Sequence, residues 1–227
     1  MLISRENAKD NIRNRQGKRV FYLGKGDQLT SDARDWLRSE HIEILPGEQA
    51  KKDIWLLPGG GFCEGKPEHM THLNGEYLVP KTHPRIAFRG AMDTLQAELL
   101  LCCRETGESR LEEILDLARA LLRCDVLEEP VPEKPLCGLS QEELRRRSHF
   151  PQKYYGQAHF MPAPGDSRKV LLLNRARCLS RAAELAAVHA FTDRDGNPIR
   201  TDILRALNRM SSMLYLLMIE LKAKEQQ

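Results

Sequence analysis

The chain lacks most of the features that announce a function. None of its apolar runs approaches the roughly 18 residues of a spanning helix. The nearest candidate, Met213 to Leu221, is short and carries Glu220, so a membrane partner is excluded. Met1-Leu2-Ile3-Ser4 runs straight into charged residues and leaves no signal-peptide core, so the chain reads as cytoplasmic. Charge of one sign is missing too. The net charge of +3 is too near zero to imply a nucleic-acid partner. The local cluster Arg145-Arg146-Arg147 reads as a solvated helix face or linker. No C-x-x-C pair occurs among Cys63, Cys102, Cys103, Cys124, Cys137 and Cys178. In a reducing compartment these read as free thiols used as small apolar residues, so no metal site is assigned. The one glycine triplet, Pro58-Gly59-Gly60-Gly61, is followed by no P-loop Lys-Ser/Thr and opens no clear helix, which argues against a phosphate cradle. No nucleophile triad or carboxylate pair is recognisable.

What is present is mostly helix. A length of 227 residues, 41% hydrophobic and 30% charged, fits one substantial domain or a small domain beside a larger one. In the first part, Val20-Phe21-Tyr22-Leu23 reads as a strand and Gly24 to Asp27 as a turn. A helix from about Ser31 to Ser39 follows, capped by Thr30, with Ala33, Trp36 and Leu37 inward. His41 to Leu45 alternates and reads as a second strand. This small β-α-β unit hides little apolar surface alone. The Gly/Pro-rich stretch from Lys51 to Glu68 reads as a linker or mobile loop, which puts a boundary at 66/67.

From Pro84 onward the spacing is helical. Phe88, Met92, Leu95, Leu99 and Cys102/Cys103 mark one helix, and Leu111, Ile114, Leu115, Ala118, Leu121 and Leu122 a second. Pro130, Pro132 and Pro135 interrupt. Ser140 and Glu143 form a capping box for a short helix to Arg147. His149 to Pro164 is a loop rich in aromatics, proline and glycine. Long helices are expected from Val170 to Phe191 and from Thr201 or Asp202 to about Lys222, separated by the turn Asp195-Gly196-Asn197-Pro198. The fold class is therefore mainly α: a bundle of about five helices, residues 67–227, behind a small N-terminal α/β unit, residues 1–66.

The most informative face lies in the last quarter. Arg177, Arg181 and Glu184 are spaced by four and three, so they stack on one side of a helix. The next helix carries Asn208-Arg209-Met210-Ser211-Ser212. Two arginines and a carboxylate opposite Asn and Ser suit a polyanion better than a core, which points to a nucleotide-handling bundle.

Three segments resemble the PduO-type ATP:cob(I)alamin adenosyltransferases, specifically the ethanolamine-utilisation (EutT-type) branch. They are Thr71-His72-Leu73 through Val79-Pro80-Lys81-Thr82-His83-Pro84-Arg85 to Gly90-Ala91-Met92-Asp93-Thr94-Leu95-Gln96-Ala97; Pro164-Gly165 leading to Arg177-x-x-x-Arg181-x-x-Glu184; and Leu207-Asn208-Arg209-Met210-Ser211. Together they span Met70 to Met218 in order. Leu29 to Arg34 resembles EutT-type N-termini more loosely. Ser212 stands where the broader family has Asp, as in the EutT branch. The Cys-Cys-x-x-Cys cluster of some EutT-type enzymes is absent; only Cys63 lies near His69 and His72, so that metal site is not carried over.

The resemblance implies a transferase. It moves the 5′-deoxyadenosyl group of ATP to cob(I)alamin with Mg²⁺ on the polyphosphate, and supplies adenosylcobalamin to ethanolamine ammonia-lyase. It implies that Arg177 pairs with Asp93 across a subunit boundary, that Arg181 contacts ATP, and that Glu184 orients that arginine or the ribose. By the same resemblance Asn208 bonds the nucleotide, while Thr71, Lys81 and Arg85 contact phosphates. On the corrinoid side it places a bulky apolar group near Phe160, with Tyr154, Tyr155 and Phe150 as competitors. It implies a homo-oligomer with sites between subunits, a trimer as in the broader bundle family or a dimer as in the EutT-type branch, with the trimer favoured, and allows a corrinoid reductase or a microcompartment shell as further partners. His149 and His159 read as structural hydrogen-bonders. Two alternatives stand beside the enzyme: a non-catalytic corrinoid or nucleotide carrier or scaffold of a microcompartment, and a helical protein binding a partner through Arg145 to Arg147. Retention of both arginines, Glu184, Asn208 and Lys81 favours catalysis, because a carrier needs no polyphosphate clamp.

Overall fold

A computed structural model of the chain describes residues 1–15, 17–50, 54–75 and 77–226. They form two compact units, Met1–His83 and Pro84–Gln227.

The first unit contains β1 (Leu2–Ile3), α1 (Arg5–Lys9), β2 (Ile12–Arg15), β3 (Lys18–Leu23), β4 (Gln28–Leu29) and α2 (Ser31–Ser39). It continues with β5 (Glu43–Pro46), β6 (Ile54–Leu56), β7 (Phe62–Glu64), β8 (Met70–Asn74) and β9 (Tyr77–Pro80). The β-α-β expectation holds: β3 and β5 pair in parallel across α2. Thr30 caps α2 by accepting the Ala33 N–H at 3.2 Å. Ala33 and Leu37 are buried, with Trp36 packed at the edge of the same cluster. The sheet is larger than expected, with seven strands in the order β5-β3-β2-β7-β6-β9-β8, while β1 and β4 form a separate parallel pair.

Two expectations are corrected here. Most of the stretch read as a linker is the β6–β7 hairpin, with Trp55 opposite Cys63; Lys51, Lys52 and Asp53 lie outside the described residues. The glycines serve its turn. Gly60 and Gly61 have φ of 89° and 82°, and a Cβ on Gly61 would meet the Ile12 carbonyl oxygen at 2.8 Å. The unit boundary falls after His83 rather than at 66/67, because β9 pairs with both β6 and β8 and so draws residues 67–83 into the sheet.

The second unit is helical: α3 (Pro84–Thr106), α4 (Arg110–Val126), α5 (Gln141–His149), α6 (Pro151–Tyr155), α7 (Arg168–Ala190) and α8 (Thr201–Glu225). Among the described residues this makes six helices in this unit rather than about five, and eight with α1 and α2 of the first unit. The extra one, α6, is a single short turn that starts on Pro151 and stops at Gly156 in the left-handed region. Ser140 and Glu143 form the expected capping box on α5. Ser167 caps α7 by accepting the Val170 N–H at 3.3 Å.

One core runs through this unit. Phe88, Met92, Leu95 and Leu99 of α3 meet Leu173, Ala176, Ala183 and Ala187 of α7 and Ile203, Leu207, Met210, Leu214 and Leu217 of α8. The buried face of α7 is small-sided, with Ala176, Ser180, Ala183 and Ala187, which lets its backbone approach both neighbours closely. Such approach fixes the registry of α7 against α8, on which the polar residues of the site depend. Asp125, fully buried on α4, is held by Arg85 Nε at 2.9 Å and Arg89 Nε at 2.6 Å from α3. A buried carboxylate is tolerated because it is paired. Among the described residues, no helix is long and apolar enough to cross a membrane.

Candidate functional site

Of the residues singled out on α7 and α8, Glu184 and Asn208 are in contact. Asn208 Nδ2 donates to Glu184 Oε1 at 3.1 Å, and Asn208 Oδ1 accepts from Arg209 Nη2 at 2.9 Å. Ser211 and Ser212 each donate their hydroxyl to the Asn208 carbonyl at 3.0 Å. Glu184 and Arg209 fix the Asn208 side-chain amide so that its orientation is set before any ligand arrives. Arg177 lies a turn and more before Glu184 on α7, and its Nε and Nη2 both donate to Asn174 Oδ1, at 3.3 and 3.0 Å. Arg181, between them, is exposed. Among the described residues it makes no hydrogen bond or ion pair, so its guanidinium fork is available to an anion. Asp93 is exposed on α3.

Other sequence candidates lie elsewhere. Arg85 is committed within the helical unit. Beside its bond to the Asp125 carboxylate it donates to the Asp125 carbonyl at 2.7 Å and to Glu128 Oε1 at 3.0 Å. The fork that would grip a phosphate is occupied, so the geometry gives Arg85 a structural role. Thr71 is half-buried on β8 and Lys81 exposed just after β9, both in the first unit. The Lys81 backbone N–H donates to the His69 carbonyl at 2.8 Å, which fixes the turn below its side chain.

The aromatic candidates separate into two places. Tyr154 and Tyr155 sit on α6. The Tyr154 ring has the Arg147 guanidinium 5.6 Å from its centroid, while Tyr155 packs against the bundle core. Phe160 lies on the following loop, packed against the bundle core, with Lys222 Nζ 5.8 Å from its ring. Phe150 and Met161 on the same segment are 63% and 88% exposed, an apolar surface open to a large planar ligand. Tyr215 is a residue of this region that the sequence reading did not single out. It follows Asn208 by seven residues and therefore shares its face of α8, a signal present in the spacing. Its hydroxyl lies 2.6 Å from His159 Nδ1.

Among the described residues, no group of three or more His, Cys, Asp or Glu is arranged to hold a metal. Cys63 is buried on β7, its thiol pushed up by burial and then by Glu64. His72 lies edge-on against Trp55 with centroids 4.5 Å apart.

A bundle with two arginines, a carboxylate and an oriented amide on adjoining helices, beside an aromatic loop, has the character of a helical nucleotide-handling protein. The chain belongs to the cobalamin adenosyltransferase family, whose model matches residues 62–221. Among curated relatives it is similar to the corrinoid adenosyltransferase EutT of Escherichia coli K12, 37% identical over 88% of this chain and 84% of that protein. It is equally similar to EutT of Salmonella typhimurium LT2, 36% identical over 90% and 86%. The chain is thus of the EutT type. A solved variant of the PduO-type ATP:corrinoid adenosyltransferase from Lactobacillus reuteri, complexed with cobalamin and ATP, matches 70% of this chain and 89% of its own with a TM-score of 0.56. At 20% identity that likeness speaks for the fold alone.

Proposed function

We infer that this chain is an ATP:cob(I)alamin adenosyltransferase. The reaction needs no general base. Cobalt(I) supplies the electron pair that forms the Co–C5′ bond, and the C5′–O bond breaks with its pair leaving on triphosphate. The protein's work is to hold ATP, aim C5′ at cobalt, balance the leaving charge and keep water out. The observation that carries this reading is the α7–α8 face, where Asn208 is bonded to Glu184 beside the uncommitted Arg181.

The roles follow from chemistry. Arg181 grips the polyphosphate as a bidentate fork. Glu184 holds Asn208 so that the rest of its amide can read the nucleoside. Lys81 offers a point charge and Thr71 a hydroxyl of the kind that suits phosphate, and Mg²⁺ enters as part of the ATP complex. Phe160 takes the corrinoid side. An apolar ring beneath the macrocycle keeps a lower axial ligand away from cobalt, which makes the cobalt(II) centre easier to reduce. Exposed Asp93 pairs with Arg177 of a second copy. The exposed apolar residues Leu100 and Leu101 on α3 and Leu185 and Val188 on α7 support association of copies through these helices.

Anaerobic incubation with Mg²⁺-ATP and chemically reduced cobalamin tests the reading. ATP-dependent appearance of light-sensitive adenosylcobalamin is expected. Tight corrinoid binding without product would make the chain a carrier instead.

A further inference from the structure

The aromatic loop is tied to the bundle by hydrogen bonds whose direction can be worked out. His159 Nε2 lies 3.2 Å from the His149 carbonyl oxygen. A carbonyl only accepts, so Nε2 carries the proton. In the neutral ring Nδ1 is then the acceptor, and its partner at 2.6 Å, the Tyr215 hydroxyl, is the donor. The hydroxyl oxygen keeps its lone pairs, and the imidazole it bonds belongs to the residue directly before Phe160. The two rings also stack, with centroids 5.7 Å apart and planes 16° from parallel.

Three elements are thereby joined. His149 is the last residue of α5, where helix carbonyls lack intrahelical donors, and His159 satisfies one of them. Tyr215 belongs to α8, seven residues after Asn208. Phe160 directly follows His159, so holding the imidazole holds the Phe160 backbone, while its half-buried ring packs at the edge of the bundle core. Tyr215 suits the donor role. Burial pushes its phenol up, with the Phe160 amide and Arg177 opposing, so the hydroxyl keeps its proton. The charged neighbours are Arg177 on α7, toward Tyr215, and Lys222 on α8, near the Phe160 ring.

We infer that the Tyr215 hydroxyl and the His159 imidazole form a latch that sets the position of Phe160 beneath the corrinoid, making both positioning residues for cobalt reduction. The latch rests on the corrinoid-side reading of Phe160. It also couples the two halves of the site, since Tyr215 and Asn208 share one face of α8.

The test uses the full chain with ATP and cob(II)alamin, reading by electron paramagnetic resonance the fraction of cobalt that has lost its lower ligand. Phe160→Ala should abolish that fraction. Tyr215→Phe should lower it about fivefold, the worth of one intramolecular hydrogen bond, with ATP affinity and thermal stability close to wild type. His159→Asn should retain more of it than His159→Gln, because the Asn amide oxygen can replace the Nδ1 acceptor and the Gln amide reaches only the Nε2 position. Wild-type fractions in Tyr215→Phe and both His159 variants, with Phe160→Ala still inactive, overturn the latch alone. A wild-type fraction in Phe160→Ala overturns the latch and the reading of Phe160 together.

Discussion

Residues 1–83 build a seven-stranded sheet from strands of three to six residues, whereas residues 84–227 build a bundle around helices of 17 to 25 residues. The sheet is closed by pairings such as β2 with β7, which lie far apart in the chain. The bundle is closed by faces that each helix carries within itself. Local order therefore dominates one unit and non-local pairing the other, and the residues with the clearest chemistry sit on the locally ordered one. A site that depends on spacings of three and four is best carried where such spacings fix geometry.

That contrast can be broken or sharpened by substitution, from the largest effect to the smallest. Arg181→Ala should reduce adenosyl transfer by about a hundredfold or more, the usual range for losing a donor to developing charge, with the far-ultraviolet dichroism unchanged. Near-normal turnover would remove Arg181 from the site.

Arg85→Ala addresses a different question, because this arginine was expected at phosphate and is found on buried Asp125. Denaturant unfolding should show a loss of about 3 kcal/mol, as for one partner of a buried pair, with the KM for ATP changed by less than about twofold. A raised KM with intact stability would return Arg85 to the phosphates.

Gly61→Ala probes the sheet unit. Positive φ and the close Ile12 carbonyl should cost about 1–2 kcal/mol in stability, with kcat retained. Last, Lys81→Ala should raise the KM for ATP by about fivefold at most, as befits one exposed charge, and the effect should fade with added salt. An unchanged KM at low salt would place Lys81 outside the phosphate contacts.

The same contrast explains what could be read in advance. Phe88, Met92, Leu95 and Leu99 define α3 by period alone, and Thr30, Ser140 and Glu143 give helix starts by their capping chemistry. The β6–β7 hairpin was not legible. Its strands are three residues each, too short to show alternation, and Pro58 to Gly61 between them looks like a linker. Helix α6 was missed for a similar reason: a single turn between Pro151 and Gly156 offers no period. Arg177, Arg181, Glu184 and Asn208 could be grouped in advance because two neighbouring helices carry them all. The partner of Arg85 lies 40 residues onward, on the next helix, and only the packing of α4 on α3 brings it near. Tyr215 was visible as a residue but not as a latch, since its partner His159 belongs to a loop with no period of its own.

The central claim, that the α7–α8 face binds ATP, is tested most directly by calorimetric titration of Mg²⁺-ATP into wild type, Arg181→Ala and Phe160→Ala. The account predicts binding weakened about tenfold or more in Arg181→Ala, the loss of a charged hydrogen-bond pair, and wild-type affinity in Phe160→Ala. Wild-type affinity in Arg181→Ala would contradict it.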